Sequence, residues 1–299
     1  MKKKLLFVYN PKAGKEKIRE NLADVLDVFA AHDYDLTVVP TRRKDEAREV
    51  VRDRSKDYDL VICSGGDGTL DETVTGMIQS GFRTTVGYIP AGSTNDYGES
   101  LGLSKNMVQA AETAMEGKDF ACDMGSFNDD VFVYIAAFGL FTDVSYETDQ
   151  AMKNILGHVA YILEGMKRLS NVRSFPMKVT YGDQVIEDEF VFGMITNSRS
   201  VGGFKNITGK NVQMDDGLFE VTLIKMPTNP AELSSIMGSL LNRDIDSEMM
   251  YCFRASELTV EAKEPIAWTL DGENGGLHKV AEIKNLHKTV VIRVDEGAE

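Results

Sequence analysis

Over its first 116 residues the chain alternates short apolar runs with segments of helical period, and this alternation most narrows the folds open to it. The runs Lys4–Asn10, Asp35–Pro40, Leu60–Ser64 and Thr85–Pro90 are brief and partly β-branched, as buried strands are. Between them, Ile18, Leu22, Val25, Leu26 and Phe29 share one helical face. Ala47, Val50 and Val51 do so within a charged segment over 44–56, and Leu70, Val74, Met77 and Ile78 within 68–79. A further helix is expected near 106–116. Strand alternating with helix builds a parallel sheet with right-handed crossovers. Ligands of such sheets collect at the carboxyl ends of the strands.

Small and glycine-rich segments stand at those ends. "NPKAGK" follows the first run, "GGDGT" the third and "AGSTND" the fourth. Glycine lets a backbone come close to a ligand because no Cβ intervenes. The helix that begins after the second of these segments offers free N–H groups suited to phosphate. Asp67, in the middle of the glycine turn, would repel a phosphate unless a cation lay between them, and magnesium is the simplest such cation. Asn10, Gly14, Ser93 and Thr94 would surround the same cleft as Asp67. A GxxxxGK[ST] pattern is missing, so the chain has no P-loop, and the lack of GxGxxG after the first strand disfavours a dinucleotide fold. By itself "GGDG" is about as often a packing turn as a phosphate cradle. Lys12 and Lys15 are either surface charges or replacements for the P-loop lysine.

Near Cys122 the pattern changes. "DVFVYIAAFGLF", "SFPMKVTYG", "QVIEDEFVFGMITN", "LFEVTLIKM", "ELTVEAKEPIAWTLDGE" and "KTVVIRV" read as strands. Helices are expected over 149–169 and 231–241, and "YGDQ" at 181–184 reads as a hairpin turn. This predicts an α/β domain over 1–124 and a mainly antiparallel β domain over 125–299, whose extreme C-terminus is free to pack back on the first.

The charge balance restricts partners. A net charge of −14 argues against nucleic acid, and against docking on anionic membranes by overall charge. Cys63, Cys122 and Cys252 have no pair spacing and read as reduced thiols of a cytoplasmic protein. The four histidines are scattered, without a zinc pattern. The apolar part of "MKKKLLFVYNPK" is too short for a signal peptide, and no stretch is apolar for long enough to span a bilayer. A lipid substrate would therefore be met by a visit to the membrane surface.

"NPKAG" at 10–14, "GGDGTLDE" at 65–72, "PAGSTND" at 90–96, "DDG" at 215–217 and "LDGE" at 270–273 together resemble the soluble bacterial diacylglycerol kinase family. That family includes lipid kinases of other specificity and the catalytic domains of sphingosine and ceramide kinases. The resemblance runs over nearly the whole chain, with the motifs in order. It implies an NAD kinase/diacylglycerol kinase-like fold and phosphorylation of a lipid hydroxyl, diacylglycerol to phosphatidic acid in the first instance. ATP and Mg2+ are the implied cofactors, and a homodimer is a family-level expectation. ATP is expected between the two domains, with Asn10, Pro11, Lys12, Ala13 and Gly14 on its phosphate side and Thr41 nearby. Gly65, Gly66, Asp67, Gly68, Thr69, Leu70 and Asp71 are expected to wrap the nucleotide, with Ser93 and Thr94 touching it. Asp67 would act through a catalytic magnesium supported by Asp96, and Glu273 would be the general base on the lipid hydroxyl. Gln213, Asp216 and Leu218 would hold a structural magnesium.

Other readings stay open from the residues alone. "DDG" and "LDGE" suit ordinary turns, because Asp and Gly fit turn geometry. "AAFGLFTDV" at 136–144 is either β-core or a wall of a lipid pocket. Phe141 and Thr142 stand where relatives commonly carry smaller or acidic residues, and Glu99 where some carry a basic one. An NAD kinase and a non-catalytic lipid or nucleotide sensor are the rival functions. Against the first, "GSTND" is present and an "NNE"-type signature absent; against the second, Asp67, Asp96 and Glu273 are all retained.

Overall fold

A computed structural model of the protein describes residues 2–139, 173–201, 204–205, 212–242 and 247–297. The chain divides into two compact units, one made of Met1–Met124 with His287–Glu299 and the other of Gly125–Leu286.

In the first unit, strands β1 (Lys4–Tyr9), β2 (Asp35–Pro40), β3 (Leu60–Gly65) and β4 (Thr85–Pro90) form a parallel sheet in the order β2-β1-β3-β4. Helices α1 (Lys17–Ala31), α2 (Glu46–Arg54), α3 (Asp67–Ser80), α4 (Asp96–Ser100) and α5 (Met107–Glu116) connect them. Local chemistry sets their ends. The Asn106 side chain accepts from the N–H groups of Val108 and Gln109 and so starts α5. Gly81, at φ 72°, ends α3 in the left-handed conformation that glycine takes without a Cβ clash. The segment expected to be helical over 44–56 starts later, at Glu46, because the Glu72 carboxylate of α3 accepts from Asp45 N–H (2.9 Å) and Ala47 N–H (3.1 Å). The core joins Leu5, Phe7 and Ile62 of the sheet to Ile18, Val25 and Phe29 of α1 and Ala110 and Ala114 of α5. Because β1, β3 and β4 are parallel neighbours, their carboxyl ends lie side by side, and with them the three small-residue segments.

Strand β5 (Lys118–Phe127) carries the chain into the second unit. There follow β6 (Asp130–Phe132), β7 (Ile135–Gly139), β8 (Phe175–Tyr181), β9 (Gln184–Thr196), β10 (Ser200–Val201), β11 (Phe204–Lys205), β12 (Phe219–Lys225), helix α6 (Pro230–Asn242), β13 (Met250–Ala255), β14 (Glu257–Leu270) and β15 (Glu273–Val294). The strands run β13-β12-β9-β7-β14-β15, antiparallel throughout, and β8 pairs with both β9 and β14. Trp268 is wholly buried, its ring centroid 4.9 Å from those of Phe127 and Phe138. The hairpin expected at 181–184 is present, closing at Tyr181↔Gln184 with Gly182 at φ 50°. The fold is thus an α/β domain with a parallel sheet followed by a mainly antiparallel β domain.

The end of β15 returns to the first unit, where Ile292 pairs in parallel with Val86. The Asp295 carboxylate accepts from the Thr113 hydroxyl of α5, and the guanidinium of Arg293 donates to Asp119 at 2.9 Å. The second unit therefore ends at Leu286 rather than at the C-terminus.

Five elements were not evident in the sequence, β5, β10, β11, β13 and the short α4, and β15 begins at Glu273, well before the run expected at 288–294. The run over 130–141, read as one strand, is divided into β6 and β7. The N–H groups of Val133, Tyr134 and Ile135 at the break turn onto the carboxylate of Asp271. The expected helix over 149–169, with Phe141 and Thr142, lies outside the described residues.

Candidate active site

The segments after β1, β3 and β4 meet backbone to backbone. Gly14 has φ +51°, and a Cβ there would fall 1.9 Å from the Ala91 carbonyl oxygen. A Cβ on Gly92 would fall 2.5 Å from Gly66 Cα. Ala91 N–H donates to Gly65 O at 2.7 Å, and Asn10 N–H to Ser64 O at 2.8 Å. These approaches require glycine. They bring Asn10, Pro11, Ala13, Gly14, Gly66, Gly68 and Thr94 together as half-buried residues at one end of the parallel sheet, with Lys12 and Ser93 exposed. Thr41 is buried at the end of β2, its N–H donating to Tyr9 O at 2.8 Å.

Asp67 is the first residue of α3 and is half-buried. Its carboxyl is pushed up to about 6, chiefly by burial and next by the negative charge of Asp96, against the pull of the Tyr97, Asp96 and Asn95 N–H groups. The Tyr97 N–H lies 3.4 Å from Oδ1. Asp96 itself is buried, at 3% exposure. Two carboxylates held this close, in a partly desolvated place lined with N–H groups, form an oxygen-only donor set. That chemistry fits a hard divalent cation carrying phosphates.

Other expected residues are placed less directly. Gly65 and Thr69 are buried, and a Cβ on Gly65 would meet the Thr69 side chain at 2.2 Å. Leu70 is wholly buried, so only its backbone can serve a ligand. Asp71 is half-buried one turn into α3 and accepts from the Thr75 hydroxyl at 3.4 Å.

In the second unit, Leu270 pairs with Glu273 across a two-residue turn, Asp271 at φ 47° and Gly272 at φ 86°. Positive φ at both central residues matches the twist of a β-hairpin, and Asp-Gly is a preferred pair for it. Glu273 emerges exposed as the first residue of β15. Asp271 faces the other way: at 6% exposure its carboxylate accepts from Val133 N–H (2.5 Å), Tyr134 N–H (2.9 Å) and Ile135 N–H (3.0 Å). In the sequence, the Asp-Gly pair signals the turn at Asp271 but nothing signals the three amides that its carboxylate meets.

Around Asp216 the protein supplies a cation of its own. Asp216 Oδ1 accepts from Leu218 N–H at 3.0 Å, and Oδ2 from the Arg254 guanidinium. Arg254 also lies 3.3 Å from Glu220, whose carboxyl is pushed up to about 7, mainly by burial. Glu220 Oε2 is buried without a partner. With Asp216 matched by the guanidinium, the buried Glu220 carboxyl keeps one unused oxygen, which fits a hard cation beside Asp216. Gln213 is exposed and Leu218 half-buried. Among the described residues no group of three or more His, Cys, Asp and Glu side chains is arranged to hold a metal, so either cation would also draw on backbone oxygens, phosphates or water.

The sequence profile of the diacylglycerol kinase catalytic domain matches residues 4–127, and that of the YegS C-terminal NAD kinase beta sandwich-like domain matches residues 136–286. A Bacillus subtilis (strain 168) protein named diacylglycerol kinase is 31% identical over 301 residues, covering 99% of this chain and 98% of its own. One of the same name from Staphylococcus saprophyticus is 31% identical over 279 residues, covering 92% of this chain and 90% of its own. A crystal structure of a candidate diacylglycerol kinase from Bacillus anthracis str. Sterne superposes with a TM-score of 0.86 at 27% identity, covering 100% of this chain and 97% of that one. The matched profile and the named relatives put the chain in a class of kinases, and it belongs to the diacylglycerol kinase family. Among the described residues no helix is long and apolar enough to cross a membrane.

Proposed function

We propose that the protein transfers the γ-phosphoryl group of ATP to the hydroxyl of a membrane lipid, diacylglycerol giving phosphatidic acid. The observation that carries this reading is the half-buried Asp67 carboxylate, beside Asp96, at the point where three glycine-bearing loops touch. The N–H groups that open α3, at Asp67 and Gly68, bind the phosphates beside the Gly14 loop, where glycine permits close approach; those of Asn10, Lys12, Ala13 and Thr69 are already donated within the loops. A magnesium ion, when bound, neutralises phosphate charge and withdraws electrons from the transferring group. Asp67, supported by Asp96, would hold it, and the amides of 95–97 fix the orientation of Asp67.

Glu273, exposed at the start of β15, takes the proton of the attacking hydroxyl. The oxygen–phosphorus bond to the lipid forms as the bond from the γ-phosphorus to the ADP oxygen breaks, and the proton ends on the glutamate. Asp271, committed to three amides, holds the turn that presents Glu273 rather than acting as a base itself. A second divalent cation at Asp216 and Glu220 would stabilise the second unit without touching the reaction. Lipid is met at the membrane surface, by a protein whose charge of −14 gives no general attraction to anionic membranes.

The test is labelled-phosphate transfer from ATP, with magnesium, to diacylglycerol, phosphatidylglycerol, a sphingoid base, a polyprenol and NAD, with the product identified. Labelled phosphatidic acid is expected. Label on NAD alone, or on no acceptor while ATP is bound, would overturn the reading in favour of the NAD kinase or the sensor.

A further inference from the structure

Strand β4 carries a phenol where packing needs only an apolar group. Tyr88 is 1% exposed. Its hydroxyl oxygen lies 3.2 Å from the carbonyl oxygen of Gly65, at the end of β3, and 3.3 Å from Asn95 Oδ1, just before α4. Gly65 O already accepts from Ala91 N–H, and Asn95 Oδ1 from Gly92 N–H at 2.8 Å. The hydroxyl is therefore an added donor shared by two acceptors, one on each phosphate loop. Asn95 sits at φ 56° and closes its own loop by donating from Nδ2 to Gly92 O at 3.0 Å. The ring has little freedom to leave, since a Cβ on Gly98 would come within 3.1 Å of Tyr88 Cε1.

We infer that Tyr88 is a positioning residue, its hydroxyl clamping the glycine turn that bears Asp67 to the Asn95 loop that bears Asp96. The inference rests on the kinase reading above. A buried phenol costs free energy unless its hydroxyl is used, and here the use joins the two segments that carry the carboxylates. Burial first, and then the negative charges of Asp67 and Asp96, push the phenol well above its ordinary value, so it acts as a donor and not as an acid or base. The clamp holds the N–H groups of 95–97 against Asp67 and so sets the spacing at which phosphate and its counter-ion are received.

The test uses the full chain with Mg·ADP as probe, by calorimetry, and ATP turnover with the lipid accepted by the wild type. Tyr88→Phe removes the hydroxyl alone. A hydrogen bond of ordinary net worth corresponds to about a two- to tenfold effect. Tyr88→Phe is expected to weaken Mg·ADP binding and lower kcat by that factor, with the lipid KM unchanged. Asn95→Gly keeps the left-handed backbone and removes the other half of the clamp together with both side-chain bonds to Gly92, so it should show at least that loss even if the phenylalanine variant folds poorly. The double variant should be no worse than Asn95→Gly alone, because the link that Tyr88→Phe removes is then already broken. Wild-type affinity and kcat in Tyr88→Phe, or losses that multiply in the double variant, would overturn the inference while leaving the kinase reading intact. No Mg·ADP binding by the wild type would overturn both.

Discussion

Asp271→Asn tests how the turn that bears Glu273 is held. Asparagine keeps the side-chain size and tolerates the φ of 47°, so the change is confined to charge and hydrogen bonding. If its oxygen takes the place of Oδ1, the bonds from Tyr134 and Ile135 survive as neutral ones, at 2.9 and 3.0 Å. Its NH2 group then meets Val133 N–H, donor against donor, where a 2.5 Å bond had been. One charged hydrogen bond contributes about 1.5–3 kcal/mol, and an orphaned buried donor costs about 1–3 kcal/mol. Loss of charge assistance in the other two bonds adds about 1 kcal/mol. Because these effects overlap, the expected total is about 3–5 kcal/mol. The second unit spans Gly125–Leu286, a size for which each kcal/mol moves the midpoint by about 2–4 °C, so its melting should fall by about 6–20 °C. Calorimetry reads the midpoint, and amide exchange should show protection lost at 133–135. A shift below about 2 °C with those amides still protected would refute the account.

Asp67→Asn should lower turnover by about 100-fold or more while the protein stays folded, since it loses a ligand to the ion and little packing; near-normal turnover at ordinary magnesium would remove the assigned role. The Asp67 carboxyl is raised from 3.8 to about 6, so the folded state holds its proton more tightly than the unfolded chain. Without metal this group's contribution to stability falls as pH rises across that window, and apparent magnesium–nucleotide affinity rises through pH 6; both trends should vanish in Asp67→Asn. Glu273→Gln should cut kcat by ~10²–10⁴ with nucleotide affinity unchanged; a defect confined to ATP binding would return Glu273 to being a turn residue. Gly14→Ala places a Cβ 1.9 Å from Ala91 O at φ +51°, and should cost about 2–5 kcal/mol in urea unfolding together with nucleotide binding; a variant as stable as the wild type would mean the loops are not in contact.

Periodicity and turn chemistry, which are local, made much of this protein legible in its sequence. The runs at 4–9, 35–40, 60–65 and 85–90 had to be strands, because short β-branched segments between helical-period stretches bury themselves as a parallel sheet. Asp271-Gly272 and Gly182 had to be turns, because few other residues accept positive φ. The order of "NPKAG", "GGDGT" and "GSTND" likewise pointed to one phosphate-binding end of that sheet. Contacts between residues far apart in the chain were decided by tertiary structure alone. Glu72 sets the start of α2 from 26 residues away, judged by neither helix's own pattern, because its carboxylate reaches the amides of Asp45 and Ala47. The run over 130–141 reads as continuous strand by every local measure, yet it breaks where the amides of 133–135 find a buried carboxylate more than 130 residues on. Arg254 reaches Asp216 and Glu220 through the pairing of β12 with β13, and the Tyr88 hydroxyl finds Gly65 and Asn95 because β4 lies beside β3. A side chain's polarity and spacing show in the sequence, but which distant amide or carboxylate will satisfy it depends on which strands become neighbours, and only the assembled sheet settles that.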